Sequence, residues 1–251
     1  MGQVDLNFKP SVPVFDANVA LGRRHDRRVR VDTVEGTLQA MGRAGIDRAL
    51  VYAPHAVGFD GREGNQVLSE LIRGEPSLVL QYVCSPATDD LDSFAALVME
   101  HGVRCVRMAP NLHKYPFRDW VVNPWLEWLA AENLTLWMPV DQVDPAELHD
   151  VAKDHPKAKI VLSEVHYSHV TWAMPLLRSL PNLRVEISRF VIARGVSRLV
   201  EAIGAERILF GSRFPDSPMA PQLYNLHRSG LSEASLAAIC SGNLERLLGM
   251  E

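Results

Sequence analysis

The sequence is short of the features that mark membrane, secreted or nucleic-acid-binding proteins. It has no uninterrupted apolar run long enough to span a bilayer, and its N-terminus has no basic segment followed by an apolar one. Its three cysteines are odd in number and lie in apolar segments, which favours buried free thiols over a disulfide framework. The net charge of −4 gives no reason to expect nucleic acid. We therefore expect a cytoplasmic protein with no membrane or nucleic-acid partner.

What is present is an alternation of apolar, strand-like segments with helix-like segments. Eight such units follow one another, with no linker or low-complexity tract between them. Strand–helix alternation predicts a parallel sheet, and eight units in 251 residues predict a closed barrel. A doubly wound open sheet is the rival fold, but the segment 16–20 after the first strand lacks its glycine fingerprint. The predicted fold class is α/β, a single (β/α)8 TIM barrel over residues 1–251.

The boundaries follow from apolar runs and from helix stop and start signals. The predicted strands are 12–16, 48–53, 78–84, 105–108, 134–140, 159–165, 183–187 and 208–210. Between the second and third strands we expect a glycine-rich loop over 58–64 and a helix from residue 65. The connection 110–123 is predicted to be a long loop over the end of strand four, and Asn123-Pro124 is expected to begin the next helix.

The eighth strand is the most informative segment of the chain. An apolar run ends in Gly211-Ser212, and a turn closed by Pro215 delivers Arg213 to the mouth of the barrel. Active sites of such barrels lie at the carboxyl ends of the strands. Reading those ends gives the polar residues Asp16, Asn18, His55, Ser85, Arg107, Asp141, Glu164, His166, Ser188, Arg189, Arg213 and Asp216.

Seven segments resemble the amidohydrolase-2 family of the amidohydrolase superfamily. They are FDANVALGR, GIDRALVYAPHAVGFDGREGN, HGVRCVRMAPNL, KIVLSEVHYSH, NLRVEISRF, RILFGSRFPDSP and SGNLERLLG, and they keep the family's strand order over nearly the whole chain. The resemblance implies a TIM barrel. It also implies the chemistry of the family, whose members are metal-dependent hydrolases and decarboxylases acting on small organic acids, lactones and amides.

The family's metal ligands do not carry over to this sequence. Where the family's first strand ends in Asp-Ala-His-x-His, this chain has Asn18 and Ala20 at the histidine positions. The fifth strand ends in 137–139, Trp-Met-Pro, without the usual histidine, and Glu164 stands at the sixth-strand histidine. Arg213 replaces the eighth-strand aspartate. Because an arginine carries a permanent positive charge, we predict no metal at the family's position and no cofactor.

A different metal site would need other ligands. His166 and His169 have helical ligand spacing, and Asp216 could add a carboxylate. Such histidine pairs are more often cap and surface residues, since a site needs a third converging ligand. A metalloenzyme with rearranged ligands is therefore the last of the hypotheses.

The first hypothesis is that an Arg213–Glu164 ion pair occupies the place of the metal. The resemblance implies that the two residues lie close together, and the guanidinium could clamp a substrate carboxylate or stabilise an oxyanion. The structural alternative is a buried pair that fills the barrel mouth, although such pairs often add little net stability. The predicted catalytic residues are His55, Glu164, His166, Arg213 and Asp216, and the predicted substrate-binding residues are Asn18, Arg107, Asp141 and Arg189.

Two functions remain open at this point. One is a metal-independent hydrolase of a small carboxylated lactone, ester or amide, in which His55, His166 or Asp216 activates water. The other is an inactive barrel that binds a small molecule or a partner, suggested by the change at all four ligand positions. The expected ligand is a small anion in either case, and self-association as a homo-oligomer is left open.

Overall fold

The structure is a computed structural model that describes residues 8–250. The predicted domain also includes residues 1–7 and 251, and these lie outside the described range, as does most of the N-terminal segment in which no signal peptide is expected. The described strands are β1 (Phe15–Ala20), β2 (Arg48–Tyr52), β3 (Leu78–Leu80), β4 (Tyr82–Val83), β5 (Cys105–Arg107), β6 (Thr135–Pro139), β7 (Lys159–Ser163), β8 (Leu183–Glu186) and β9 (Ile208–Leu209).

All strand pairs are parallel, in the orders β1-β2-β3 and β4-β5-β6-β7-β8-β9. Only Gln81 separates β3 from β4, and its amide donates to the carbonyl of Val51 at 2.8 Å, so the two pieces form one barrel strand. The ring closes where the amide of Ala17 donates to the carbonyl of Phe210 at 2.9 Å. The predicted TIM barrel of eight strands is confirmed.

The helices follow the strands around the outside of the barrel. They are α1 (Val34–Ala44), α2 (Pro54–Gly58), α3 (Gly61–Leu71), α4 (Leu91–Glu100), α5 (Pro110–His113), α6 (Asp119–Ala131), α7 (Pro145–Asp154), α8 (Val170–Ser179), α9 (Gly195–Ile203), α10 (Met219–His227), α11 (Glu233–Ala237) and α12 (Asn243–Leu248). Among residues 8–250, no helix combines the length and the apolarity needed to cross a bilayer.

The predicted glycine-rich loop over 58–64 is wrong, because most of it is helical. Asp60 caps α3 by accepting a hydrogen bond from the amide of Glu63 at 2.8 Å, so the helix begins four residues before the predicted start. Gly64 serves helix packing: a Cβ there would lie 2.4 Å from the amide nitrogen of Ala56 in α2. The glycine therefore allows α2 and α3 to approach closely.

The connection 110–123 also holds more helix than the sequence suggested. Pro110 begins the short helix α5, and α6 starts at Asp119 with Pro124 inside it rather than at its start. Pro124 is the sixth residue of α6, so the helix lacks the hydrogen bond that an amide there would donate to the carbonyl of Trp120.

The barrel interior changes from apolar to polar along its axis. Near the amino-terminal ends of the strands, Phe15, Leu50 and Trp137 pack with Leu244 and Leu247 of α12. Near the carboxyl ends, the buried interior side chains are polar and include Asn18, Gln81, Arg107 and Glu186. An apolar base thus supports a polar layer directly beneath the mouth. The three cysteines are buried free thiols, as predicted.

Candidate functional site

A cavity of about 400 Å³ opens at the carboxyl ends of the strands. Its position agrees with the site location of this fold. Its wall combines cationic, anionic and aromatic side chains with a few apolar ones. The polar and aromatic wall residues are Arg24, His25, Asp26, Tyr52, Arg107, Asp141, Gln142, Glu164, Arg213 and Asp216.

The Arg213–Glu164 pair lies in this wall, as the resemblance implied. Nε of Arg213 donates to Oε2 of Glu164 at 2.8 Å. Each residue comes just after its barrel strand with φ at 62°, a left-handed conformation that costs a non-glycine residue on the order of 1–3 kcal/mol. Burial alone would lower the pKa of Arg213, but the charges of Glu164 and Asp216 raise it above its ordinary value. Arg213 is therefore a fixed cation.

Asp216 joins the loop after β1 to the turn after β9. Its Oδ1 lies 2.6 Å from Nη2 of Arg27, and its Oδ2 lies 3.2 Å from Nη1 of Arg24. Nη2 of Arg213 also lies 3.2 Å from Oδ2. Both oxygens of this carboxylate are thus occupied by cations, which leaves it poorly placed to take a proton from water.

Arg107 forms the floor of the cavity and is 1% exposed. Nε donates to Oε1 of Gln81 at 2.8 Å, and Nη2 donates to Oδ1 of Asn18 at 2.9 Å. The guanidinium lies 3.9 Å from the centre of the Tyr52 ring, and Nη1 lies 3.9 Å from Oε1 of Glu164. These contacts fix the orientation of the guanidinium and leave Nη1 beside the cavity.

Glu186 is a site residue that the sequence analysis missed. It is fully buried, and its Oε2 accepts hydrogen bonds from Nδ2 of Asn18, the amide of Glu164 and Oγ of Ser188 at 3.0, 3.1 and 3.0 Å. The amide of Ser188 donates to Oε1. Because the side-chain Nδ2 of Asn18 donates to Glu186, the side-chain Oδ1 of Asn18 faces Arg107.

One sequence signal could have identified Glu186, an acid inside an apolar strand. In the structure it lies next to Gly211, where a Cβ would come within 2.3 Å of Oε1. Burial raises the pKa of Glu186 to about 7, although its hydrogen bonds from Glu164 and Ser188 act in the opposite direction.

Asp16 is a second buried carboxyl, below the turn that carries Arg213. Its Oδ1 accepts from the amides of Asn18 and Ser212 at 3.1 and 2.9 Å. Among the described residues, Oδ2 has no hydrogen-bond partner. Burial raises the pKa of Asp16 to about 6, although the hydrogen bonds from Ser212 and Asn18 lower it in part.

The Asp16→Asn variant is expected to lose part of the pH dependence of folding. A carboxyl whose pKa is raised in the folded state stabilises the fold fully below pH 4, and this contribution falls as pH rises to about 6. Two pKa units correspond to about 3 kcal/mol. Urea unfolding from pH 4 to 7 should show this decline in the wild type and a flatter profile in the variant. Parallel profiles would contradict the shift.

The remaining predicted residues lie at the edge of the cavity or beside it. Asp141 is in the wall, half exposed, and pairs with Nη1 of Arg189 at 3.3 Å and with Nε2 of His169 at 3.0 Å. His55 lies in a neighbouring pocket of about 240 Å³. His166 bonds Oγ of Ser168 at 3.1 Å and is not among the described residues of the cavity wall. Their predicted roles stay predictions.

The donor groups present do not fit a divalent metal ion at the family's position. Asn18 has both amide atoms engaged, and Glu164 is occupied by a guanidinium. His166 and His169 do not converge on one point, because Nδ1 of His169 accepts from the His166 amide and Nε2 faces Asp141. Within residues 8–250, no three or more His, Cys, Asp or Glu side chains form a group that could hold a metal ion.

Comparison with known proteins identifies the relatives of this barrel. The model of the amidohydrolase family matches residues 13–250. The chain belongs to the amidohydrolase family. The cavity holds an arginine–glutamate pair where the sequence resemblance puts metal ligands. A search of curated proteins gives no match.

Solved structures share this fold at low sequence identity. An uncharacterized TIM-barrel protein from Bordetella bronchiseptica is 16% identical with a TM-score of 0.77, covering 97% of this chain and 99% of that one. A 5-carboxyvanillate decarboxylase from Sphingomonas paucimobilis is 15% identical with a TM-score of 0.74, and the match covers 96% of this chain and 100% of that one. A zinc-bound amidohydrolase from Burkholderia multivorans is 15% identical with a TM-score of 0.73, and the match covers 96% of this chain and 100% of that one. These likenesses show the fold.

Proposed function

We propose that this amidohydrolase-family protein is a metal-independent hydrolase of a small carboxylated lactone, ester or amide. The observation that carries the proposal is the ion pair of Arg213 and Glu164 in the cavity wall. A guanidinium there supplies the positive charge that a metal supplies in relatives. Because arginine is protonated at every working pH, that charge is always present.

Donors for an anionic substrate come from Arg107 and Arg213. Both line the cavity, and in the described structure the Nη1 atoms of both have no hydrogen bond to protein. We assign Arg107, held rigidly by Gln81 and Asn18, to the substrate carboxylate. We assign Arg213 to the oxygen that becomes negative when water attacks the carbonyl carbon. A donor aimed at such an oxygen contributes about 10²–10³ in rate.

A ligand-binding protein without catalysis is the second candidate. It is favoured by the state of the cavity carboxylates, since Asp141, Glu164 and Asp216 are all paired with cations. A carboxylate engaged in this way is a weak acceptor for a water proton. The same cationic floor would still bind a small organic acid.

The deciding experiment is a substrate screen on protein dialysed against a chelator. The panel contains lactones, esters and amides of small carboxylic acids, together with hydroxybenzoates, because some solved structures of this fold are decarboxylases by name. We expect hydrolysis of at least one carboxylated substrate, with a rate that added zinc or manganese leaves unchanged within about twofold. A thermal-shift screen of the matching acids runs beside it.

Three results would overturn the proposal. Activity that disappears on chelation and returns with metal would make this a metalloenzyme. Release of carbon dioxide without hydrolysis would make it a decarboxylase. Thermal stabilisation by small acids, with no turnover of any panel member, would favour the binding protein.

A further inference from the structure

Two histidines and a glutamate form a row that leads away from the cavity. Nε2 of His25 lies 2.9 Å from Nδ1 of His55, and Nε2 of His55 lies 3.4 Å from Oε2 of Glu63. His25 is in the cavity wall, whereas His55 and Glu63 line the neighbouring pocket. The row therefore connects the cavity to a carboxylate outside it.

The row is held by three separate parts of the chain. His25 is on the loop after β1, His55 is in the first turn of α2, and Glu63 is in the first turn of α3, whose N-cap is Asp60. The ring of Phe59 lies 5.1 Å from each of the two imidazole rings and covers them. The close packing of α2 on α3 fixes the position of His55 relative to Glu63.

The hydrogen-bond roles along the row follow from its acceptor end. Nε2 of His55 makes no hydrogen bond within the described chain, but the ionised carboxylate of Glu63, 3.4 Å away, favours the proton on Nε2 and leaves Nδ1 unprotonated. That Nδ1 accepts from Nε2–H of His25. The lone pair of His25 is then on Nδ1, which has no hydrogen bond within the described chain. In this arrangement His25 is a base with a free lone pair.

We propose that His25 is the general base of the hydrolysis, and that His55 and Glu63 are positioning residues that orient and stabilise its protonated form. The inference rests on the proposed function. The carboxylates of the cavity are paired with cations and are therefore weak proton acceptors. His25 provides a proton acceptor that has no cation bound to it. A carboxylate behind an imidazole holds the ring in one tautomer and favours the imidazolium.

The step balances without any further reactant. Nδ1 of His25 takes one proton from water as the oxygen bonds to the carbonyl carbon, and the carbonyl electron pair moves to the oxygen beside Arg213. When that pair returns, the bond from carbon to the leaving oxygen or nitrogen breaks. The leaving group takes the proton from Nδ1. One water is consumed, a carboxylic acid and an alcohol or amine are formed, and His25 is neutral again.

Other charges face this row and enter its pH dependence. On the cavity side these are Arg24, Asp26, Asp141, Glu164, Arg213 and Asp216, and on the pocket side there is Arg23. Within the row, Glu63 is the only carboxylate, with Oε2 at 3.4 Å from Nε2 of His55. Removing the charge of Glu63 therefore tests the row without changing the charges of the cavity wall.

The test combines kinetics with nitrogen NMR. His25→Ala is expected to lower kcat by about 10²–10³ and to abolish the acid limb of the pH–rate profile, with partial rescue by added imidazole. Glu63→Gln should move the acid limb to lower pH. His149→Ala is the matched control, because His149 also contacts a carboxylate, Asp150 at 3.2 Å, but outside the cavity wall. It should leave rate and profile unchanged.

Side-chain ¹⁵N shifts of the free protein provide a readout that needs no substrate. We expect neutral His25 and His55 both to carry the proton on Nε2, and Glu63→Gln to change the signals of His55. Protonation of His25 on Nδ1 would overturn the inference, as would a His25→Ala variant with wild-type rate and profile. If Arg213→Ala is inactive while His25→Ala keeps its activity, the proposed role of His25 is wrong but the proposed hydrolase function is retained. If the wild type hydrolyses nothing, both fail.

Discussion

The Arg213→Ala variant is expected to hydrolyse the best substrate with kcat/KM lowered at least about 100-fold. The loss corresponds to about 3 kcal/mol of transition-state stabilisation, the size expected for one donor to a developing oxyanion. The variant leaves Glu164 in the cavity wall without its 2.8 Å partner, so a carboxylate faces the anionic substrate. Steady-state kinetics at several pH values measure the effect.

Two variants separate charge from geometry and from stability. Arg213→Lys keeps the charge but loses the planar fork, so an intermediate loss of about 10-fold is expected. Arg48→Ala removes an arginine of similar exposure that pairs with Glu245 at the opposite end of the barrel. Its kcat/KM should equal that of the wild type. An Arg213→Ala variant as active as Arg48→Ala would remove Arg213 from the mechanism.

The Arg107→Met variant is expected to lose about 3 kcal/mol of folding stability and to bind carboxylates poorly. Methionine fills part of the space but leaves Gln81 and Asn18 buried without their hydrogen-bond donor. A buried charged partner costs more to remove than an exposed one. Urea unfolding and titration with a small organic acid followed by calorimetry are the measurements.

Arg104 provides the control for this variant. It is exposed, three residues before Arg107, just ahead of the same strand. Arg104→Met should change stability by no more than about 0.5 kcal/mol and leave binding unchanged. Equal effects of the two substitutions would show that Arg107 neither supports the floor of the cavity nor holds a ligand.

The sequence predicted the barrel because its signals are local and repeated. The alternation of apolar strands with helices requires no knowledge of distant contacts, and the ends of the strands converge by topology. The family resemblance, which implies that both positions face one site, is why Arg213 and Glu164, 49 residues apart, could be expected to meet. The starts of helices were harder to predict. Asp60 is a suitable N-cap, but the three nearby glycines indicated a loop instead.

The missed residues depend on contacts that the sequence does not display. Glu186 takes its role from Asn18, which is 168 residues away, and from the space beside Gly211. His25 lies in an arginine-rich loop, where nothing local distinguishes it from a solvated side chain. Its row becomes visible only when β1, α2 and α3 are placed together. Long-range side-chain geometry, rather than the fold, is the part that sequence patterns left undetermined.

The most direct test of the central claim is a crystal structure of the protein soaked with manganese and with zinc, analysed by anomalous diffraction. We expect the guanidinium of Arg213 on the carboxylate of Glu164 in both soaks, with no anomalous peak near that carboxylate. An ion bound to Glu164 at about 2.0–2.2 Å, with Arg213 turned away toward solvent, would contradict it.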